Sequence, residues 1–220
     1  MLEISGLHKK YPSGDGYQVV IEDLSFALNK GEVVALVGAS GSGKTTLLNL
    51  LSGIDMPDSG KVVIENVNLN SLNDNDRTLL RRHKLGFVFQ FFNLIPTLKI
   101  AENIALPMQL ISTPDKEIAQ TTANLLDKVG LSGMQNRYPE TLSGGEQQRV
   151  AIARAIAHSP SILLADEPTG NLDEETGQKI IQLLISLAKE QEIGMLLVTH
   201  SHQVADSADR VLRLHQGRLS

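Results

Sequence analysis

Gly38-Ala39-Ser40-Gly41-Ser42-Gly43-Lys44-Thr45 sets a glycine-rich loop between an apolar run, Val33 to Val37, and a second apolar run at helical spacing, Leu47, Leu48 and Leu51. Glycines let such a loop adopt backbone angles that turn several amides toward one concavity. The helix that follows adds the positive end of its dipole. A cradle of this kind suits a polyphosphate, with Lys44 reaching the terminal phosphates and the Thr45 hydroxyl holding a Mg²⁺ that keeps several waters. The competing reading is a glycine-rich turn that binds nothing. The complete pattern in a strand-loop-helix context argues against it.

Ile162-Leu163-Leu164-Ala165 is an apolar strand that ends in Asp166 and Glu167. Carboxylates at the end of a buried strand are costly unless something satisfies them, and a Mg²⁺-nucleotide beside the phosphate loop would do so. Asp166 is then the natural Mg²⁺ partner. Glu167, one residue on, points elsewhere and suits a group that orients, or takes a proton from, attacking water. An ordinary solvated loop before Pro168 is the alternative, but the two segments explain each other. A second glycine segment, Leu142-Ser143-Gly144-Gly145-Glu146-Gln147-Gln148-Arg149, precedes the helical run Val150, Ile152, Ala153, Ala155 and Ile156. It forms another helix N-terminus suited to anions, and one nucleotide does not need two such cradles.

These groups must be positioned by a scaffold, and the pattern supplies one. Leu24, Phe26 and Leu28 alternate as in a strand, Val33 to Val37 reads as a strand buried on both faces, and a helix should follow Gly43. Val62 to Ile64 and Gly86 to Phe89 are further strands, with a helix at Asp76 to His83 between them. Ile162 to Ala165 and Met195 to Val198 repeat the buried-strand look, joined by an amphipathic helix over Glu174 to Glu190. Strands alternating with helices imply a parallel α/β sheet. From Ile100 to His158 the pattern changes: Ile118, Leu125, Leu126 and Val129 recur at helical spacing with no buried strand, which reads as an inserted helical subdomain.

The 220-residue chain is long enough to bury roughly 70% of its unfolded surface without staples. It has no cysteine, which excludes disulfides and thiolate metal sites. Lys and Arg total 20 against 25 Asp and Glu, a formal charge of −5, so there is no electrostatic footprint for nucleic acid. No apolar run approaches the roughly twenty residues of a membrane span, and the start Met1-Leu2-Glu3-Ile4-Ser5 lacks the features of a secretory signal, which points to the cytoplasm.

Taken together, the segments resemble the ABC-type ATPases, in order and over essentially the whole chain. The resemblance implies a P-loop NTPase fold over 1–220: a RecA-like α/β core with an antiparallel β portion in 1–90 and 159–220, and a helical subdomain in 91–158. It implies ATP and Mg²⁺ as ligands. Gly38, Ala39, Ser40, Gly41, Ser42, Gly43, Lys44, Thr45 and Thr46 match the Walker A loop, Tyr11 the aromatic that stacks on adenine, and Gln90 the loop glutamine that touches Mg²⁺ and water. Thr45, Gln90 and Asp166 are thereby the metal residues. Ser143, Gly144 and Gly145 match the signature that binds the γ-phosphate held by a second subunit. Ile162 to Asp166 resembles Walker B, Glu167 the catalytic carboxylate, Asn171-Leu172-Asp173 the D-loop, and His200 the switch histidine. Lys44, Gln90, Glu167 and His200 are the implied catalytic set. Many members carry Gln where Glu146 stands, and that side chain is expected to be exposed and inessential to the phosphate contact.

Two such subunits would form a head-to-tail ATP sandwich, which resolves the two-cradle puzzle. The resemblance further implies an integral membrane permease partner with a large extracytoplasmic domain and a peripheral location on the cytoplasmic face of the inner membrane. Phe91 to Leu98, Ala101 to Pro107 and Thr169 to Asp173 look like the group serving lipoprotein release, macrolide export and related exporters. A related division-type ATPase that works by mechanical signalling is the open alternative; a soluble ABC-like ATPase of DNA repair or translation lacks its coiled coil here, and a P-loop kinase would not need the hydrolytic carboxylate.

Other residues carry less. Tyr17 competes with Tyr11 for adenine. His8, His83, His158, His202 and His215 are expected at the surface. Phe87 and Phe89 are expected in the core, while Phe91 and Phe92 are expected to begin the helical insertion and present a groove to the membrane subunit. Asp74 to Lys84 is charge-rich and reads as a solvated helix.

Overall fold

In the computed structural model the described residues are 1–14 and 16–219, and the side chain of His202 lies outside them, as does the expectation made for it. The apolar runs form the centre of a six-stranded sheet. Its strands β3 (Val33–Val37), β6 (Leu85–Phe89), β7 (Ile162–Asp166), β8 (Gly194–Thr199) and β9 (Arg210–His215) run parallel, and β10 (Arg218–Leu219) pairs antiparallel with β9 in the order β10-β9-β3-β8-β7-β6. Alternate residues of each strand enter opposite cores. Val33, Leu163, Ala165, Met195 and Leu197 face one, with the helices α3 (Ile100–Leu110), α4 (Asp115–Lys128), α5 (Gly144–Ile156) and α6 (Glu174–Glu190). Val34, Leu36, Leu164, Leu196 and Val198 face the other, with α1 (Lys44–Leu51). A strand apolar on both faces is the pattern of a sheet covered on both sides.

A second, antiparallel sheet closes the α1 side. It consists of β1 (Leu2–Ser13), β2 (Gly16–Leu28), β4 (Ser59–Ile64) and β5 (Val67–Asn68) in the order β2-β1-β4-β5. The hairpin of β1 and β2 is longer than the Leu24 to Leu28 alternation suggests. Register shifts at Ile4/Leu7, Leu7/Lys9 and Lys9/Lys10 break the period of two in β1, which is why no alternation marks that strand. The helix α2 (Asp74–Lys84) has no buried residue and is capped by the Asn73 side chain, a solvated helix as its charges require. A short α7 (His202–Ala205) follows β8.

The helices α3, α4 and α5 fill the 91–158 stretch without a core of their own. Their apolar residues belong to the same cluster as one face of the sheet, and α5 packs on both β6 and α6. Asn103, fully buried in α3, fastens the segment that leads from β6 into this layer. Its Oδ1 accepts from the Ile95 amide at 2.8 Å, and its Nδ2 donates to the carbonyls of Ile95, Leu98 and Lys99 at 3.1, 3.1 and 3.2 Å. Replacement by an isosteric apolar group strands these backbone groups in the interior. Asn103→Leu should therefore cost about 2–4 kcal/mol, read as a lowered urea midpoint with unchanged slope; a shift under about 0.5 kcal/mol would show that the segment re-pairs elsewhere.

Candidate functional site

The parallel pairing of β3, β8, β7 and β6 brings four strand ends to one edge. Val37 is opposite Thr199, Val198 opposite Asp166, and Asp166 opposite Phe89, so Gly38, His200, Glu167 and Gln90 all leave the sheet on the same side. Ligand sites of open α/β sheets lie at this carboxyl edge.

The loop after β3 needs its glycines for different reasons. Gly43 has φ 104°, and a Cβ there would lie 2.9 Å from the Val20 carbonyl oxygen. At Gly38 a Cβ would meet the Leu214 carbonyl and Ser42 Oγ at 2.6 Å, so no side chain fits between the loop and β9. Lys44 opens α1 and is buried, its Nζ donating to the carbonyls of Gly38 and Ala39 at 2.8 and 3.0 Å. Ser42 Oγ is buried with no hydrogen-bond partner among the described residues.

A cavity of about 480 Å³ opens over this loop. Ser40, Gly41, Gly43, Lys44, Thr45, Thr46, Asp166, Glu167, His200 and Val20 line it. Loop amides and a buried ammonium thus face two carboxylates and an imidazole across one space. Burial and the adjacent Glu167 carboxylate push the Asp166 carboxyl up, and the Lys44 ammonium offsets part of that rise. Glu167 turns away through a left-handed backbone, φ 46°, with its amide donating to the Val198 carbonyl at 2.9 Å. That conformation is sparsely populated for a non-glycine residue and is held here by the neighbouring strand. Its Oε2 lies 2.8 Å from His200 Nδ1, a contact that connects the ends of β7 and β8. The pairing of Glu167 with His200 has no signal in sequence spacing, because it depends on strand order.

Several expected site residues lie outside the cavity. Gln90 is turned to the segment after Glu167: its Nε2 donates to Asn171 Oδ1 at 3.3 Å, and Asn171 Nδ2 donates to the Gln90 carbonyl at 2.9 Å. Tyr11 gives its hydroxyl to Asp55 Oδ2 at 2.6 Å and carries Lys9 Nζ 5.0 Å from its ring centroid; burial and Asp55 raise its pKa. Tyr17 is 66% exposed, with Lys10 over its ring. Ser143, Gly144 and Gly145 form the amino end of α5, away from the cavity of their own chain.

Three expectations are corrected. Glu146 is half-buried rather than exposed, because it closes a capping box in which its carboxylate accepts from Ser143 N and Oγ at 2.8 and 2.7 Å. Those bonds hold its carboxyl below the usual range. His158 is half-buried, donating from Nε2 to the Leu85 carbonyl at 3.1 Å, and burial lowers its pKa. Phe89, at the outer end of β6, is exposed instead of core and stacks on half-buried Phe87 at 5.7 Å. A groove lies beside these two rings, while Phe91 is 71% exposed and Phe92 packs near Gly144.

Fold and cavity together define a P-loop nucleotide-binding protein. A family model described as ABC transporter matches residues 21–170. An ABC transporter ATP-binding protein of Mycobacterium tuberculosis is 46% identical over 219 residues, covering 100% of this chain and 88% of the relative. The lipoprotein-releasing system ATP-binding protein LolD of Legionella pneumophila is 44% identical over 213 residues, covering 97% and 94%. Among solved structures, the ATP-binding cassette MJ0796 as a dimer in a post-hydrolysis state bound to ADP and Pi superposes with a TM-score of 0.89 at 40% identity, over 100% of this chain and 97% of that one. The chain belongs to the ABC transporter family, as an ATP-binding, ATP-hydrolysing subunit.

The raised pKa of Asp166 fixes a sign. At neutral pH its charge is a net cost to the folded, ligand-free chain, a cost that disappears in acid where the group is protonated both folded and unfolded. Asp166→Asn should raise the melting temperature of the protein without added nucleotide at pH 7 and lose that advantage near pH 3. A lowered melting temperature at pH 7 would show that the carboxylate has a stabilising partner.

Proposed function

We propose that this chain is the motor subunit of a transporter in which two copies close head to tail on two ATP molecules and drive a membrane subunit that exports or extracts a lipophilic or lipoprotein-type substrate. The observation that carries the dimer is the separation of two anion-suited helix ends: Lys44 and the loop amides line the cavity, whereas Ser143, Gly144 and Gly145 of α5 do not. A second copy supplies the missing contact, a reading supported by the dimeric structure of the MJ0796 cassette at 40% identity.

In this reading the loop amides and Lys44 bind the phosphates, giving up the lysine's bonds to Gly38 and Ala39. Thr45 and Asp166 fit a Mg²⁺, since a hydroxyl and a half-buried carboxylate in need of positive charge line the same space. The ion, when bound, neutralises charge on the phosphates. Glu167 orients the attacking water and holds its proton, and His200 fixes the Glu167 carboxylate through Nδ1 while its ring stands in the cavity. Thr46 lines the cavity, and Tyr11, hydrogen-bonded to Asp55 outside it, is the aromatic that would stack on the adenine.

The output surface is the groove of about 630 Å³ between the sheet edge and α3, where Phe87, Phe89, Leu106, Pro107 and Leu110 form an apolar floor and Arg81, Arg82 and Arg154 a basic margin. Thr45 and Asp166 line both this groove and the cavity over the phosphate loop, so the groove adjoins the nucleotide site. A short amphipathic helix with acidic residues from the membrane subunit fits that chemistry. No helix among the described residues is long and apolar enough to cross a membrane, and the chain would sit peripherally on the cytoplasmic face of the inner membrane through this contact.

Glu167→Gln should bind ATP normally, slow turnover on the order of 10² or more, and accumulate an ATP-dependent dimer by light scattering. Mixing Ser143→Arg with Lys44→Ala subunits should restore one intact composite site and measurable turnover; a mixture no more active than either parent refutes the head-to-tail arrangement. Phe89→Ala should leave basal ATPase of the isolated subunit nearly unchanged and weaken assembly with the co-purified membrane protein by about 1–3 kcal/mol. Equal stimulation of wild type and variant by that protein would place the docking surface elsewhere.

A further inference from the structure

Gln148 lies one turn into α5, on the helix whose amino end is Ser143 to Gly145, and it is fully buried. Its Nε2 donates to the Pro168 carbonyl at 2.6 Å and makes a longer contact, 3.4 Å, with the Phe89 carbonyl. Pro168 follows Glu167, and Phe89 precedes Gln90. One amide therefore bridges the signature helix, the catalytic loop and the strand end that carries Gln90. The two carbonyls fix which way the amide faces, because only its NH₂ can serve both. Its Oε1 is left buried with no partner among the described residues.

A group that merely fastened a helix to a loop would not need to bury an unsatisfied oxygen, whose desolvation is a standing cost. The endpoints give the bond a use. In the head-to-tail dimer, the amino end of α5 meets the nucleotide held by the partner subunit, while Glu167 serves the nucleotide of its own chain. We propose that Gln148 is a positioning residue that couples the two nucleotide sites: a displacement of α5 on meeting the γ-phosphate of one ATP is delivered through the Pro168 carbonyl to the backbone of Glu167 at the other. The inference rests on the sandwich reading above. Glu167 is the part of the loop least tolerant of displacement, being held at φ 46° between the Val198 carbonyl, which its amide meets at 2.9 Å, and Gly170, whose amide donates to the Glu167 carbonyl at 3.0 Å. A 2.6 Å bond to the next residue transmits a small shift with little slack.

The test compares wild type with Gln148→Met, which keeps the length and loses the donor, and Gln148→His, which keeps one N–H. Wild type should hydrolyse ATP with a Hill coefficient above one, approaching the two allowed by two sites. Gln148→Met should lose roughly tenfold to a hundredfold in kcat through misplacement of Glu167, with KM and the affinity for a fluorescent ATP analogue unchanged and a Hill coefficient near one. Gln148→His should recover part of both, and it carries the comparison should the Met variant melt below assay temperature. A donor-less variant that keeps wild-type cooperativity, or a wild type that dimerises on ATP yet shows a Hill coefficient of one, overturns the coupling role. A wild type that forms no ATP-dependent dimer overturns the sandwich reading itself.

Discussion

Two carboxylates at the end of a strand whose both faces are buried form the constraint on which the rest depends. Asp166 is pushed toward protonation by burial and by Glu167, and the Lys44 ammonium offsets part of the push. Bringing Lys44 there requires β3 and β7 to run parallel in one sheet, with β8 between them, so that the phosphate loop and Asp166 emerge at one edge. The apolar runs that make this sheet are long enough to be covered only by helices on one face and by α1 with the antiparallel sheet on the other. Site and core are thus one requirement: the strands must be buried for the edge to be rigid, and a rigid edge is what holds like charges close.

The helix α5 shows how the peripheral layer is tied to that edge. Its apolar face belongs to the same core as β7 and β8. Its polar groups reach outward from it at three levels: Ser143 with Glu146 at the amino end, Gln148 to the loop after β7, and Arg154 to the carbonyls of Phe92 and Asn93 at 2.8 and 2.6 Å. Arg154 has no acidic partner among the described residues, and burial lowers the pKa of its guanidinium; the turn at Phe92 and Asn93, both left-handed, supplies carbonyl oxygens instead. The segment after Gln90 is therefore gripped from α3 by Asn103 and from α5 by Arg154.

Much of this was legible in the residues, and the failures have a common cause. Runs such as Val33 to Val37 and Met195 to Val198 declare themselves because both faces are apolar, and Gly38 to Thr45 because its chemistry is contiguous in the chain. Contacts set by strand order, such as Glu167 with His200 or Gln90 with Asn171, leave no spacing to read. Hydrophobicity misled at Phe89, since β6 is the edge strand and the exposed ring of its last residue lines a surface groove. Polarity misled at Glu146 and His158, each of which finds a partner on its own doorstep, Ser143 for one and the Leu85 carbonyl for the other. The bulged β1 escaped because its alternation is interrupted, not because it lacks apolar residues.

Lys44 and Ser143, two of the groups suited to phosphate, already have partners within the chain. Lys44 is bonded to Gly38 and Ala39, and the Ser143 hydroxyl and amide to Glu146. Nucleotide binding is then an exchange of bonds, whose net value is far smaller than the gross strength of the new ones. At Lys44 the exchange favours phosphate, because neutral carbonyls give way to a charged acceptor. At Ser143 it is closer to balance, since Glu146 is itself an anion on the same donors. On the proposed arrangement the first exchange occurs within one subunit and suffices for nucleotide to bind, whereas the second needs a γ-phosphate strong enough to displace a carboxylate. That difference gives a physical reason for a cassette to hold nucleotide as a monomer and yet close only on the triphosphate.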